Sequence, residues 1–584
     1  MKVFLFCSIF LLTILLSFFQ SLVLSESYYV FSKISVEFTF FLITTFLIIQ
    51  QKLNINYLLK SIWIFSVITI LLSFGQLFKL LLTGSLFSDA IIELNATFGH
   101  KNLLASILFL SLPYNLYLFT ISKRWQIISI TTIILMFVII WLLQTKAVLI
   151  AFFIFFSTLI TLTIAKKKAP QQTVKFKILY VSIISFFIVI SVISIQYKNY
   201  FPRLFDTNSA TERFHLWENT SKIIQKNFFT GVGAGNWQVE FPRYGLDKFA
   251  NPEIQNGLTT FQRPHNDLLW MLSEMGIVGL VSFLLIFISM LFYLFKLKKK
   301  EGNISFLYNC FIATVIGYGF ISFLDFPLER IEHQVLLLLM FSIITAKYFK
   351  QFSALTTTSK NYNNYAVISL AFVLILFSGA VSFNRYIGEN HNKKLLKFKQ
   401  KNNWRKVIEE AKLSTNTFYT IDPMSMPIEW YKGISLFYLS DIENATISFE
   451  KANKLHPYNI HIINNLASCY EQKKEHKKAE TYYLKALSIS SNFEESRLNL
   501  SAVYFNQKKY KKAFETIDLC DINSTNEKYH LFLPSILNSF AQELIMKNNN
   551  KQDKTLKNID AIEIYYTAKK KNISFEKLLL QKGY

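Results

Sequence analysis

"RPHNDLLWMLSEMGIVGLVSFLLIFISMLFYLFKLKKK", residues 263–300, decides the architecture. It opens on Arg263, His265, Asn266 and Asp267, runs through an apolar stretch interrupted early by Glu274, and closes on a cluster of lysines. About 20 apolar residues cross ~30 Å of hydrocarbon as a helix, so this stretch is long enough to span a bilayer. Basic loops stay on the cytoplasmic side, so "KLKKK" at 296–300 marks the inner end. The polar entry at 263–267 then faces outward, where its charges call for a use.

The rest of the chain repeats the pattern. Of 584 residues, 52% are hydrophobic, 58 are Phe and 17% are charged. Soluble domains carry about 25% charged residues, so the composition is that of a membrane protein. Eleven apolar runs are expected to span, near 3–24, 33–50, 57–82, 103–121, 125–143, 147–165, 176–196, 267–295, 305–324, 334–349 and 364–383. The first resembles a signal peptide but lacks a small-residue cleavage site, so it reads as an uncleaved span. With the N-terminus inside, Lys2, Lys52, "SKR" 122–124, "KKK" 166–168, "KLKKK" 296–300 and Lys347/Lys350/Lys360 all fall on the cytoplasmic side. The same threading exports 83–102, 144–146, 197–266, 325–333 and the C-terminal tail. The net charge of +24 therefore reflects topology and a basic tail, and no nucleic-acid partner is expected. Four scattered cysteines, Cys7, Cys310, Cys469 and Cys520, suit buried apolar positions; neither a disulfide framework nor a metal site is expected.

From about residue 400 a period of 34 emerges. Ala445, Ala479 and Ala513 come into register, followed by Phe449, Tyr483 and Ile517, then Ala452, Ala486 and Cys520. Gly433, Ala467 and Ser501 match on the preceding helix, with Leu436, Tyr470 and Tyr504 behind them. Small residues where paired helices cross, at this period, are the tetratricopeptide pattern. Such a solenoid offers a surface for a protein partner or serves as a rigid appendage. The expected fold is thus all-α: a polytopic helical membrane domain over 1–385 with the long periplasmic loop 197–266, a helical linker at 386–425, about three repeats over 426–527, and a helical cap at 528–584.

The exported segments gather unusual chemistry. "NATFGHKN" supplies Asn102, and "LQTKAVL" places Lys146 at the edge of hydrocarbon, where it either snorkels or meets an anion. The long loop carries Arg213 and Trp217, four apart and so on one helical face. It also holds "TGVGAGNW", whose glycines allow a tight turn or a close backbone approach to a ligand. Neither a Walker loop nor a nucleophile elbow is present. Cations suit a diphosphate leaving group, and a histidine suits a hydroxyl acceptor.

The order "GHKN", "R-x-x-x-W" at 213–217, "TGVGAGNW", "HNDLLWMLSEMGIVGL" and "FLDFPL" resembles the O-antigen ligase and polymerase superfamily over about residues 90–345. The resemblance implies a metal-independent, inverting glycosyltransferase, without cofactor, in the bacterial inner membrane. It would move a glycan from undecaprenyl diphosphate to an acceptor on the periplasmic face, lipid A-core first, with a growing polymer or a protein as the alternatives. On that resemblance His265 activates or positions the acceptor and Arg213 binds diphosphate. Lys146 stands where the family has arginine, keeping the charge but not the fork. Arg263, Asn266, Asn102, Glu274 and Trp217 are further substrate-binding candidates. The competing classes are a membrane scaffold acting through its repeats and a transporter; the latter would place ionisable residues along the midplane of several spans, and apart from Glu37 and Glu274 these spans show few.

Overall fold

The computed structural model describes residues 2–164, 208–300, 305–352, 362–548 and 560–582. Among them the only regular structure is helical, with no strand beyond two isolated bridges between 416 and 427. It divides into a membrane unit, residues 1–237 and 263–383, and a solenoid unit, residues 238–262 and 384–584.

The membrane unit contains α1 (Lys2–Ser17), α2 (Leu24–Ile49), α3 (Ile55–Leu82), α4 (Phe87–Glu93), α5 (Lys101–Leu118), α6 (Lys123–Leu142) and α7 (Lys146–Ile164). After α8 (Asn208–Lys226) come α9 (Asp267–Lys300), α10 (Ser305–Leu324), α11 (Ile331–Phe352) and the start of α12 (Tyr362–Gln400). Asn54 and Ser122 cap α3 and α6 by accepting from the N–H of Asn56 and Trp125, satisfying first-turn donors that have no partner within the helix. Nine helices among the described residues are long and apolar enough to cross a membrane. Their outward faces carry large apolar side chains such as Leu71, Phe78, Ile127 and Phe153, which a lipid environment accommodates.

Two of the eleven expected spans are not among the nine. The run at 176–196 lies outside the described residues, as do "KKK" 166–168 and Arg203. The run at 103–121 is α5, which is buried along almost its whole length. A helix enclosed by protein needs no lipid-facing stripe, and α5 carries Ser106, Ser111 and Asn115 among its apolar residues. Asn115 Nδ2 donates to Ser66 Oγ at 3.0 Å and Ser106 Oγ lies 2.7 Å from His333 Nε2, so both polar side chains find partners on neighbouring helices. The second span begins at Leu24, nine residues earlier than its apolar stretch suggests. Its polar start is buried and bonded: Ser27 Oγ donates to the Ala234 carbonyl at 2.7 Å, and Lys33 Nζ to the Glu329 carbonyl at 2.9 Å.

The solenoid unit stacks α13 (Trp404–Ser414), α14 (Ile428–Tyr438), α15 (Ile442–Leu455), α16 (Ile460–Gln472), α17 (His476–Ile489), α18 (Glu494–Asn506) and α19 (Tyr510–Ile517) behind the end of α12. It finishes with α20 (Glu527–Asn548), α21 (Ala561–Lys570) and α22 (Phe575–Gln581). Ala445, Ala479 and Ala513 are all buried at the helix crossings, with Phe449, Tyr483 and Ile517 beside them. A methyl at Gly433 would press into the Phe449 ring, so the crossing is closed to anything larger there. In the third repeat the helix stops at Ile517, leaving Cys520 past its end and only half-buried.

Residues 238–262, from the middle of the long loop, pack on this solenoid. Leu246 N–H donates to the Ile489 carbonyl at 2.9 Å, and Asp247 Oδ1 accepts from Ser491 N–H at 2.7 Å. Ser490 Oγ donates to the Gln255 carbonyl at 2.6 Å, and the Arg243 guanidinium lies over the Tyr458 ring. Gly257 fits closely against Ile460 and His461, at a φ of 68°.

Candidate active site

α9 is broken near its start. Gly276 has φ 65° and ψ −171°, a left-handed conformation that glycine adopts without a Cβ clash. The break exposes peptide groups that the glycine run supplies: Val232 N–H donates to the Ser273 carbonyl at 2.9 Å, Gly233 N–H to the Glu274 carbonyl at 3.0 Å, and Ile277 N–H to the Phe228 carbonyl at 2.9 Å. The contact is backbone on backbone. A Cβ on Gly231 would overlap the Glu274 peptide, and one on Gly276 the Phe229 carbonyl. The glycines of "TGVGAGNW" therefore approach the chain's own helix. Glu274, buried, completes the joint by accepting from Gly235 N–H at 2.7 Å and Trp237 N–H at 3.0 Å. The same loop closes the gap between α1 and α2, where Asn236 Oδ1 accepts from Val23 N–H at 2.7 Å.

On this base stands His265, directly before α9. Its own φ is 52°, a conformation that costs a non-glycine residue of order 1–3 kcal/mol and clusters at functional sites. The residues on either side hold it there. Trp217 Nε1 donates to the Pro264 carbonyl at 2.9 Å, while Asn266 Oδ1 caps α9 by accepting from Leu269 N–H at 3.0 Å. The imidazole meets the Phe326 ring edge-on at 4.7 Å between centroids, and Nδ1 lies 3.6 Å from Asp325 Oδ1. That distance is longer than a hydrogen bond, so the pairing is electrostatic.

Asp325, at the end of α10, is the point of convergence. Asn102 Nδ2, in the first turn of α5, donates to Asp325 Oδ2 at 2.8 Å, and Phe326 N–H donates to Oδ1 at 3.0 Å. Burial alone would raise this carboxyl. The neighbouring His265, the charge of Arg213 on α8 and the Phe326 N–H outweigh burial and hold it below the ordinary aspartate value. His265 and Asn102 thus meet at one carboxylate, on which the charge of Arg213 also acts. A carboxylate facing Nδ1 favours the tautomer protonated there, which leaves Nε2 as a base.

The other candidates are placed differently. Arg263 is tied down: Nε and Nη2 donate to Glu329 Oε2 at 3.1 and 2.9 Å, and its plane stacks on Trp270. Lys33 Nζ reaches the same oxygen at 3.4 Å. Burial would push the Glu329 carboxyl up, but the charges of Arg263 and Lys33 and their hydrogen bonds bring it down to about 2. Asn266 and Glu274 are buried and bonded to backbone. Lys146 opens α7 at the same end of the bundle with its side chain exposed. Sequence reasoning passed over Asp325, Glu329 and Lys33. "DFPLER" lies within a segment expected to be exported, but nothing in a gap of 60 residues announces that its aspartate faces His265.

Residues 131–284, which contain Lys146, Arg213, the glycine run, His265 and the α9 break, match the family model for O-antigen ligase. This part of the membrane unit is similar to the O-antigen ligase family. Residues 460–493 match the tetratricopeptide repeat, so the matched region is followed by a repeat-containing tail. No curated protein matches the chain significantly. The O-antigen ligase match covers His265 and Arg213 but stops short of Asp325.

Proposed function

We propose that this protein is a glycosyltransferase of the O-antigen ligase type. It acts on the periplasmic face of the bacterial inner membrane and transfers a glycan from undecaprenyl diphosphate, without a metal ion, to lipid A-core. The observation that carries the reading is His265, held in a left-handed conformation against Asp325, with Asn102 on the same carboxylate and the charge of Arg213 acting on it. In this mechanism Nε2 of His265 takes the proton of the acceptor hydroxyl as its oxygen attacks the anomeric carbon. The bond to the diphosphate oxygen breaks on the opposite face, inverting the centre. Arg213, with Lys146, steadies the charge that develops on the leaving diphosphate. Asp325 is a positioning residue that orients the imidazole and stabilises its protonated form. Arg263, Asn266, Glu274 and Trp217 act by shaping this site.

A protein acceptor is the second reading. It is favoured by a groove of about 490 Å³ in the solenoid unit, lined by Trp430, His461, Asn464, Asn465, Asn499 and Glu495 among others, whose size and amides suit a peptide partner. The test is a gene deletion complemented by wild type or by His265→Ala, with lipopolysaccharide and glycoproteins analysed together. Polymer stranded on its lipid carrier supports ligation to lipid A-core. Single repeat units on lipid A-core indicate a polymerase, and loss of protein glycans alone indicates the second reading. Unchanged glycans in every fraction would leave the protein as a scaffold.

A further inference from the structure

At the end of the membrane unit opposite His265, a cavity of about 430 Å³ opens between the α2–α3 turn, the C-terminal ends of α5 and α11, and the first turn of α10. Its floor is apolar or aromatic and buried, with Ile48, Tyr308 and Ile343. Its polar wall is made by Asn54 and Asn56 on one side and by Lys347 and Lys350 on the other. The two lysines are three residues apart on α11 and so share a face. No acidic side chain lines the cavity, and among the described residues neither ammonium is paired with a carboxylate.

The level of this cavity fixes the kind of ligand. Its walls are the ends of helices that are apolar along their lengths, Leu24–Ile49, Ile55–Leu82 and Ile331–Phe352, so it sits where hydrocarbon gives way to headgroups. Lysines placed only to set topology would extend into water. Here they converge with amide donors over an aromatic floor, which is a pocket for an anion carried on an apolar body. Basic pockets between spans at this depth take anionic headgroups.

We propose that this cavity binds the phosphate of an anionic phospholipid, with Lys347 and Lys350 as its charge partners and Asn54 and Asn56 as hydrogen-bond donors. The lipid's chains lie along the apolar flanks of α2 and α11. The site is separate from the His265 cluster and does not depend on the transferase reading.

The full-length protein, exchanged into nanodiscs of phosphatidylglycerol with phosphatidylcholine and then into neutral detergent, tests this by native mass spectrometry of retained lipid. Wild type is expected to keep phosphatidylglycerol and shed phosphatidylcholine. Each Lys→Gln change is expected to lower retention about fivefold, and K347Q/K350Q roughly 25-fold, with lipid-free melting unchanged. Should the double variant fail to fold, K347R/K350R, which keeps both charges, must retain lipid as wild type does. Equal retention by wild type and K347Q/K350Q overturns the site. Displacement of the lipid by millimolar inorganic phosphate overturns the lipid as its ligand in favour of the free anion.

Discussion

The loop between α8 and α9 has two halves that are held in opposite ways. Residues 228–237 meet the broken start of α9 peptide against peptide, and from Gly231 onward every residue is buried. Residues 238–262 rest on the solenoid through side chains and single peptide groups, with Asp247, Glu253 and Leu258 exposed. The first half has no room for a Cβ at Gly231 or Gly276 and is locked further by the Glu274 carboxylate, so its geometry leaves little slack. The second can lose one bond and keep the others. Rigidity is concentrated in the half that supports His265, as expected where a reacting group must be fixed within fractions of an ångström.

The sharpest way to break this contrast is Gly276→Ala. The added methyl overlaps the Phe229 carbonyl at a left-handed φ. A loss of more than about 4 kcal/mol is expected, seen as failure to recover monodisperse protein in detergent.

Acid strikes next. The Glu329 carboxyl is depressed from 4.5 to about 2, so its contribution is fully present above the ordinary value and is lost as pH falls through that window. It amounts to roughly 3 kcal/mol. Melting temperature should fall between about pH 4.5 and pH 2, and Glu329→Gln should flatten that profile while lowering stability at neutral pH.

A smaller effect is expected from Glu274→Gln. The carboxylate accepts from two N–H groups with separate oxygens, and an amide offers one acceptor. About 1–3 kcal/mol should be lost, read as a drop in thermal stability with little change in helix content. The mildest change is Asp247→Ala, which removes two exposed bonds to Ser491. It should cost about 1 kcal/mol or less. An effect of Asp247→Ala as large as that of Glu274→Gln would erase the distinction between the halves.

Much of this was legible in the chain. Length and apolarity mark the spans because a bilayer imposes both, and the small residues at period 34 mark the repeats because helix crossings admit nothing larger. Gly231, Gly233 and Gly235 were visible as special. Their target was not, since a glycine run is equally suited to a ligand and to another backbone. Arg263, Asn266 and Glu274 looked like ligand-binding groups because polar residues at a membrane entry need partners; the partners proved to be Glu329, the α9 N-terminus and the loop amides. Asp325 stayed hidden for the converse reason. Its partners come from α5, α8 and the approach to α9, and no local periodicity encodes a contact among three distant segments.

The enclosure of α5 also bears on how the protein is made. Its hydroxyls, its amide and the central Pro113 suit neighbours better than lipid. Yet α10 and α11, which pack against it, emerge from the ribosome about 190 residues later. At roughly 5–20 residues per second, that is an interval of some 10–40 s during which α5 has α3, α6 and α7 beside it but neither α10 nor α11. Assembly of the membrane unit therefore has an order in time, with its innermost helix among the first made and the last to be enclosed.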